Sequence, residues 1–266
     1  MAHRLDGVRA KLRRANGHAH AIEDRIELWR EDEPYEFVHD EESEPGWTVL
    51  RIWGGEPPPI EVGVIAGEYV HNVRSALDHL VWQLVLANGA VPGKHNEFPI
   101  ALTEGYFDQR AIAGEKAMLA GVTKDAKRFI RGQQPYKRGD DAPSHPLAIL
   151  QELWNTDKHQ SLAQAVNVFD PIRALGVQYE RVGGVVPPTS RRVVDGMELD
   201  RWPTPAPQSP SPGGTTGQAR HVGSLKVGVL FGESEVRLNT LLSLREEAKA
   251  ITDHFAASPI LCEAAH

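Results

Sequence analysis

Residues 60–87 constrain the fold most, because they predict a long helix that is apolar around most of its circumference. The prolines at 57–59 break the chain before this segment, and Asn88 and Gly89 supply a stop signal at its end. At about 100° per residue, one side carries an apolar stripe of Val73, Leu77, Leu80 and Leu84. Such a helix needs partners on its apolar surface, so we expect a helical bundle around it.

The same helix carries six hydrogen-bonding side chains within nine positions: His71, Asn72, Arg74, Ser75, Asp78 and His79. The next turn on that side returns to apolar residues at Trp82, Val85 and Leu86. We therefore expect the polar groups to be at least partly covered, and covered polar groups need partners. Arg74 and Asp78, spaced four residues apart, are predicted to form an ion pair.

A second polar cluster lies in "LQELWNTDKHQ", within a helix predicted to run from Ser144, its N-cap, to about Val168. Its members are Asn155, Asp157, Lys158 and His159. Antiparallel packing of the two helices would place this cluster opposite the first. Imidazoles, carboxylates and cations held in one pocket have shifted pKa values, which is how protein sites obtain acids and bases near neutral pH.

Apolar spacing predicts four more helices, which complete the bundle. Steps of three and four residues mark a long amphipathic helix over 4–29, with His18 and His20 on its solvated outer side. The other three are predicted at 103–120, 123–131 and about 234–255, and threonines precede the first two as N-caps.

Strands are predicted on both sides of the bundle sequence. "YEFVHD" and "WTVLRIW" are rich in aromatic and β-branched residues and flank the turn "EESEPG", so they predict a β-hairpin. The Pro- and Ser-rich stretch 203–218 has too few apolar groups to order itself and predicts a flexible loop. Further antiparallel strands are predicted in the C-terminal third, at 172–182, 191–200 and 222–231.

These elements define an α+β protein with a helical bundle core and an antiparallel β-sheet. The sheet is built from the N-terminal hairpin and the C-terminal third. We expect residues 1–266 to form one unit, because the last helix returns to the bundle only after the sheet. Its parts are a helical core at about 4–30, 60–168 and 234–257, and a β-rich part at about 34–53 and 172–231.

Composition narrows the function classes. The formal net charge of −7 argues against a broad nucleic-acid coating, although "RLDGVRAKLRR" at 4–14 is a basic cluster, which a solvated helix face also explains. The single cysteine, Cys262, allows neither an intramolecular disulfide nor a cysteine-based metal site, which favours a reducing compartment. The N-terminus lacks an apolar signal region and no apolar run approaches about 18 residues, so we expect a cytoplasmic protein without a membrane partner.

The six residues "RSALDH", Arg74 to His79, place four residues between an arginine and a histidine. In this spacing the helix resembles the Arg-x4-His motif of the HEPN superfamily, helical proteins that include metal-independent ribonucleases of toxin and phage-defence systems. The resemblance implies that His79 transfers protons and that Arg74 stabilises charge on the phosphate. It also implies that Ser75 occupies the polar position after the arginine.

The same resemblance implies RNA as a partner, a site formed across a homodimer, no cofactor and no metal, and an antitoxin as a candidate partner. The residue types agree with this chemistry, because histidine works as an acid and base near neutral pH and arginine recognises phosphate oxygens. We take Arg74, Ser75, Asp78 and His79 as the candidate catalytic residues. The supporting polar cluster comprises His71, Asn72, Asn155, Asp157, Lys158 and His159.

Two longer stretches carry a second resemblance. "HNVRSALDHL" and "LWNTDKHQ" are similar to a set of uncharacterised bacterial and phage proteins that share an H-N-x-R-S-A-L-D-H-L helix and a D-K-H helix. This resemblance carries no known activity.

Two other interpretations stay open. In the first, the polar residues form a structural network that ties two helices together in a non-enzymatic interaction or structural protein. In the second, a metal lies between the helices of an enzyme, with ligands drawn from His71, Asp78, His79, Asp157 and His159. Arg74 and Lys158 would repel such a cation, and no Glu-x-x-His or His-Glu-x-x-His arrangement is present.

Overall fold

The computed structural model describes residues 4–41, 43, 45–53, 57–114, 116–159, 163–171, 191–203 and 223–258. Within them, helices combine with two small antiparallel sheets, which confirms the predicted α+β class. The helices are α1 (Asp6–Glu31), α2 (Ile60–Ala87), α3 (Glu104–Phe107), α4 (Lys124–Gly132), α5 (Pro146–His159) and α6 (Leu238–Ala256). The strands are β1 (Glu36–Asp40), β2 (Trp47–Trp53), β3 (Gln164–Pro171), β4 (Arg191–Arg192), β5 (Met197–Pro203), β6 (Gly223–Phe231) and β7 (Ser234–Val236).

The strands form two sheets, of order β1-β2-β5 and β4-β3-β6-β7. Strands β1 and β2 pair antiparallel with Val38 opposite Arg51, so the predicted N-terminal hairpin is confirmed. The predicted strand at 172–182 lies outside the described residues. The predicted flexible loop at 203–218 is described only at Pro203, which ends β5, and 204–218 lie outside the described residues. No helix in the described part of the chain is long and apolar enough to cross a membrane.

Contacts divide the chain into two compact units. The first contains the described residues of 1–24, 61–164 and 229–266, and the second contains those of 25–60 and 165–228. The second unit is centred on Leu50, Ile52 and Leu199, which are buried across β2 and β5. The first unit is helical and holds the polar residues considered below.

Helix α2 forms the core of the first unit, as its predicted apolar stripe requires. Its bounds agree with the prediction, and Val73, Leu77, Leu80 and Leu84 are fully buried. Tyr69 is also buried and donates a hydrogen bond from its hydroxyl to the Leu241 carbonyl of α6 at 2.6 Å. On the opposite side, Val85 is fully buried but Trp82 and Leu86 are exposed, so that turn is covered only in part.

Gly63 lets a loop backbone pack directly on α2. A Cβ atom at this position would lie 1.9 Å from the carbonyl oxygen of Ala163 and 2.6 Å from its carbonyl carbon. Both are main-chain atoms of a fully buried residue, so no side-chain rotation can relieve the clash. The Ala163 backbone can therefore pack against α2 because Gly63 has no side chain.

Replacing Gly63 by alanine should lower the free energy of unfolding by about 2–4 kcal/mol, because either α2 or the 163–164 backbone has to move. Gly17→Ala on α1 is the matched control, since no atom lies within 4 Å of its Cβ position. The control should stabilise the protein by about 0.5–1 kcal/mol through helix propensity alone. Urea unfolding of both variants measures the difference. Equal effects at the two sites would contradict the packing described here.

Three predicted helices are shorter than the sequence suggested. Thr103 does cap α3, because its side chain accepts a hydrogen bond from the Tyr106 N–H. The predicted helix to 120 is nevertheless wrong: a π-helical turn at Asp108–Ile112 ends it, and Gly114 follows with a φ of 82°. A left-handed glycine at that point turns the chain out of the helix.

The other two differences arise from strand pairing. The predicted helix to 168 is wrong beyond His159, because β3 begins at Gln164 and pairs antiparallel with β4. Val166 and Val168 are β-branched residues that favour a strand. The last helix begins at Leu238 rather than 234, because Ser234–Val236 pairs with the end of β6 across a turn at Gly232.

His145 rather than Ser144 caps the start of α5, so the predicted N-cap is wrong by one residue. Its Nδ1 accepts a hydrogen bond from the Leu147 N–H at 3.1 Å, and its side chain is buried. Burial lowers the pKa of His145 to about 4, with a smaller contribution from Arg138. The neutral imidazole is the form that the fold requires, because a protonated Nδ1 cannot accept this bond.

The His145 contribution to stability should be complete above pH 6.5 and should fall as the pH drops toward 4. In that window the unfolded chain protonates His145 and the folded protein does not, so protons favour unfolding. We expect a loss on the order of 2 kcal/mol, measured by urea unfolding at a series of pH values. His145→Asn keeps a side-chain acceptor but removes the titration. A variant with the same pH dependence as the wild-type protein would contradict this assignment.

Candidate functional site

Arg74 occupies the interior of the first unit rather than an open surface. Its side chain is 4 % exposed, and its Nη2 lies 3.1 Å from Asp78 Oδ1 and 3.7 Å from Glu97 Oε2. The predicted Arg74–Asp78 ion pair is therefore confirmed. The guanidinium also lies over the Trp154 ring, with its Cζ 5.6 Å from the ring centroid. These contacts join α2 to α5 and to the loop at residue 97.

Asp78 links the same pair to the loop that follows α2. Its Oδ1 accepts a hydrogen bond from the Phe98 N–H at 2.9 Å. Burial raises the pKa of Asp78, and Arg74 and the Phe98 bond oppose that rise. The Nε and Nη1 atoms of Arg74 are buried without a hydrogen-bond partner. The guanidinium is thus held by carboxylates and an aromatic ring.

The other α2 candidates have different surroundings. His79 is exposed and Ser75 is half-buried. The structure therefore gives Arg74 and His79 opposite environments: the guanidinium is covered by protein, and the imidazole faces solvent. Neither residue lines the open cleft described next.

Part of the supporting polar cluster does converge, in a solvent-open cleft of about 700 Å³ between α1, α2 and α5. We call this the polar cleft. From the predicted cluster it brings together His71, Asn72, Asp157 and Lys158. Its other lining residues are Arg14, His18, Val64, Gly67, Glu68 and Trp154.

Two members of the predicted cluster stand apart. Asn155 lies outside the polar cleft, lines a separate pocket and accepts a hydrogen bond from Gln151 Nε2 at 3.0 Å. The side chain of His159 is outside the described part of the structure. Asn155 and Asp157 face different sides of α5, because each residue turns the helix by about 100° and the two positions are two residues apart.

One histidine and one carboxylate of the polar cleft, His71 and Asp157, interact electrostatically across it. The Asp157 carboxylate lies directly on α2 at Gly67, where a Cβ atom would be 2.5 Å from Oδ1. Burial raises the pKa of Asp157, and the electrostatic interaction with His71 opposes that rise. His71 itself is exposed, one helical turn after Gly67. The polar cleft therefore contains an accessible imidazole and a partly buried carboxylate.

His18 and Glu68 form a histidine–carboxylate pair in the polar cleft. His18 Nδ1 lies 3.4 Å from Glu68 Oε2, and His18 Nε2 lies 3.4 Å from Asn72 Nδ2. The prediction that His18 is solvated is wrong, because the residue is 6 % exposed. Burial lowers the pKa of His18, and Glu68 opposes this effect. The sequence did hold a signal: His18 comes three residues after Ala15 and four before Ile22, both in the buried stripe.

Cations and an aromatic ring complete the polar cleft. Lys158 Nζ lies 4.5 Å from the centroid of the Trp154 ring, and Arg14 is exposed on the α1 side. The cleft thus combines two imidazoles, two carboxylates, two cations and an indole. Such a set can exchange protons, neutralise an anionic group and stack against a planar one.

The described residues contain no group of three histidine, cysteine, aspartate or glutamate side chains placed to hold a metal ion. The chain was also compared with protein-family models, curated proteins and solved structures, and none of the three comparisons gave a match. The α2 resemblance to HEPN proteins therefore stays a prediction.

A double-mutant cycle should detect the contact between Gly67 and Asp157. Gly67→Ala should lower the free energy of unfolding by about 1–3 kcal/mol, because the new methyl group displaces the carboxylate. In an Asp157→Ala background the same change should cost much less, since the clashing atoms are gone. Thermal or urea unfolding of the four proteins gives the coupling. Additive effects would show that the carboxylate does not lie on Gly67.

Proposed function

We propose that the protein is a metal-independent ribonuclease whose active site is the polar cleft. The single observation that supports this proposal is that two imidazoles, two carboxylates and two cations line one open cleft. RNA carries its own nucleophile, the ribose 2′-hydroxyl. Cleavage therefore needs a base for that hydroxyl and positive charge for the phosphate, and both are present without a metal.

His71 is the general base in this proposal, because it is the exposed imidazole of the polar cleft. It takes the proton of the 2′-hydroxyl as the 2′ oxygen attacks phosphorus. The bond from phosphorus to the 5′ oxygen breaks, and that oxygen takes a proton from water. The products are a 2′,3′-cyclic phosphate and a 5′-hydroxyl. Asp157 stabilises the positive charge that His71 acquires, as a carboxylate does when it orients a catalytic imidazole.

The remaining residues of the polar cleft bind and orient. Lys158 and Arg14 neutralise the phosphate, and the Trp154 ring supports the Lys158 ammonium in the cleft. His18 is held between Glu68 and Asn72, so we assign it to positioning. The proposal keeps the ribonuclease activity implied by the α2 motif but gives the chemistry to His71 and Lys158.

His71→Ala should reduce RNA cleavage about 100-fold or more, because removal of a general base typically costs that much. The assay uses the purified protein, single-stranded RNA and a chelator, with products resolved by gel. His20→Ala is the matched control, since His20 is an exposed α1 histidine outside the polar cleft. An intact RNA after incubation with the wild-type protein would refute the proposal. Loss of cleavage in Arg74→Ala and His79→Ala, with His71→Ala still active, would return the chemistry to the α2 motif.

A second candidate function is a non-enzymatic interaction protein whose polar residues are structural. The burial of Arg74 between Asp78, Glu97 and Trp154 favours it, because such a network ties α2 to α5 and a loop. Under this interpretation Arg74→Ala lowers the melting temperature strongly, His79→Ala leaves it almost unchanged, and no preparation cuts RNA. Both variants belong in the same experiment.

A further inference from the structure

A basic groove lies between α1 and α6, on a part of α1 that adjoins the polar cleft. Its volume is about 530 Å³, and it is lined by Arg9, Leu12, Arg13, Asn16, Arg245 and Lys249, among others. Arg9 and Arg13 are spaced four residues apart on α1, and Arg245 and Lys249 have the same spacing on α6. Each pair therefore projects from one face of its helix, with about 6 Å of rise along the axis.

The groove is basic although the chain carries a net charge of −7. Four cations line it, and Asp253 is the one carboxylate among its described lining residues. Asp253 accepts a hydrogen bond from Lys249 at 2.6 Å, and Arg245 pairs with Glu246. By contrast, neither Arg9 nor Arg13 forms an ion pair with another side chain in the described part of the chain. These two arginines can therefore bind an anion without giving up an existing partner.

One further feature of the groove favours a bound anion. No atom lies within 4 Å of a Cβ position at Gly17, which leaves that end of the groove open. Helix α1 therefore admits a ligand close to its backbone at this point.

The groove and the polar cleft share α1 as a wall. Arg13 and Gly17 line the groove, whereas the next residues along α1, Arg14 and His18, line the polar cleft. A ligand that passes over α1 can thus contact both sites. A chain of phosphates fits this arrangement, because it presents anions at regular intervals on both sides of one helix.

We propose that the basic groove binds the phosphate backbone of single-stranded RNA beside the segment held in the polar cleft. This inference rests on the proposed ribonuclease function and adds that the protein also binds RNA beyond the bond that is cut. A membrane surface fits less well, because Leu12 is buried and a membrane-binding face presents exposed apolar side chains beside its cations. Arginine at helical spacing suits phosphate oxygens through its fixed fork of donors.

The test measures binding of a fluorescent single-stranded deoxyoligonucleotide by anisotropy over a series of salt concentrations. This probe carries the phosphates but lacks the 2′-hydroxyl, so it is bound without being cut. Arg9→Gln/Arg13→Gln should weaken binding about tenfold at low salt. The slope of log K against log salt should become shallower by about 1.4, from two phosphate contacts of about 0.7 each.

Lys124→Gln/Arg128→Gln is the matched control, because these exposed α4 residues have the same spacing and remove the same charge. It should bind the oligonucleotide like the wild-type protein, and circular dichroism and thermal melts of both doubles establish that they are folded. The proposal is overturned if the two doubles bind equally well or if the wild-type protein does not bind the oligonucleotide. Binding to vesicles of phosphatidylserine and phosphatidylcholine without binding to the oligonucleotide also overturns it.

The cleavage assay separates this inference from the proposed function. If the wild-type protein cuts RNA under chelator and the Arg9/Arg13 double binds the oligonucleotide normally, the groove assignment fails and the ribonuclease stands. If RNA stays intact but oligonucleotide binding depends on Arg9 and Arg13, the ribonuclease fails and the groove stands as a nucleic-acid site.

Discussion

The close approach of α5 and of the Ala163 backbone to α2 is the contact on which the candidate site depends. Gly63 and Gly67 lie one turn apart on α2, and together they form a strip without side chains. The Ala163 carbonyl lies on the first glycine and the Asp157 carboxylate on the second. The strip thus allows the Ala163 backbone and the Asp157 carboxylate to approach α2. A bulkier residue at Gly63 would push the Ala163 backbone away from α2, and one at Gly67 would displace the Asp157 carboxylate.

This contact explains why two similar-looking polar clusters have different environments. On α2, Arg74 points into the interior, where Asp78, Glu97 and Trp154 surround it. His71 comes three residues earlier on the same helix and opens into the polar cleft beside Asp157. Trp154 contacts one cation in the interior and one in the polar cleft, because Arg74 and Lys158 both lie within 6 Å of its ring centroid. One indole ring therefore connects the buried ion pair to the open site.

Local sequence patterns were enough to predict α2, the buried stripe of α1, the N-terminal hairpin and the Arg74–Asp78 pair, because each depends on residues close together in the chain. They failed where strand pairing decides the structure, as in β3 and β7, because these segments also suited a helix. The convergence of His71, Asp157 and Lys158 was partly predictable from antiparallel packing. His18 was missed because a histidine within an apolar stripe can be stabilised by Glu68 and Asn72, which no pattern in α1 alone reveals.

Helix α1 has a consequence for the persistence of the binding surface. It supplies Arg14 and His18 to the polar cleft and Arg9 and Arg13 to the basic groove, so both exist only while its apolar stripe is docked. Any local opening that releases α1 removes the two sites together. A ligand that bridges them would in turn add its binding free energy to the docking of the helix. Amide hydrogen exchange along α1 therefore reports directly on the lifetime of the recognition surface.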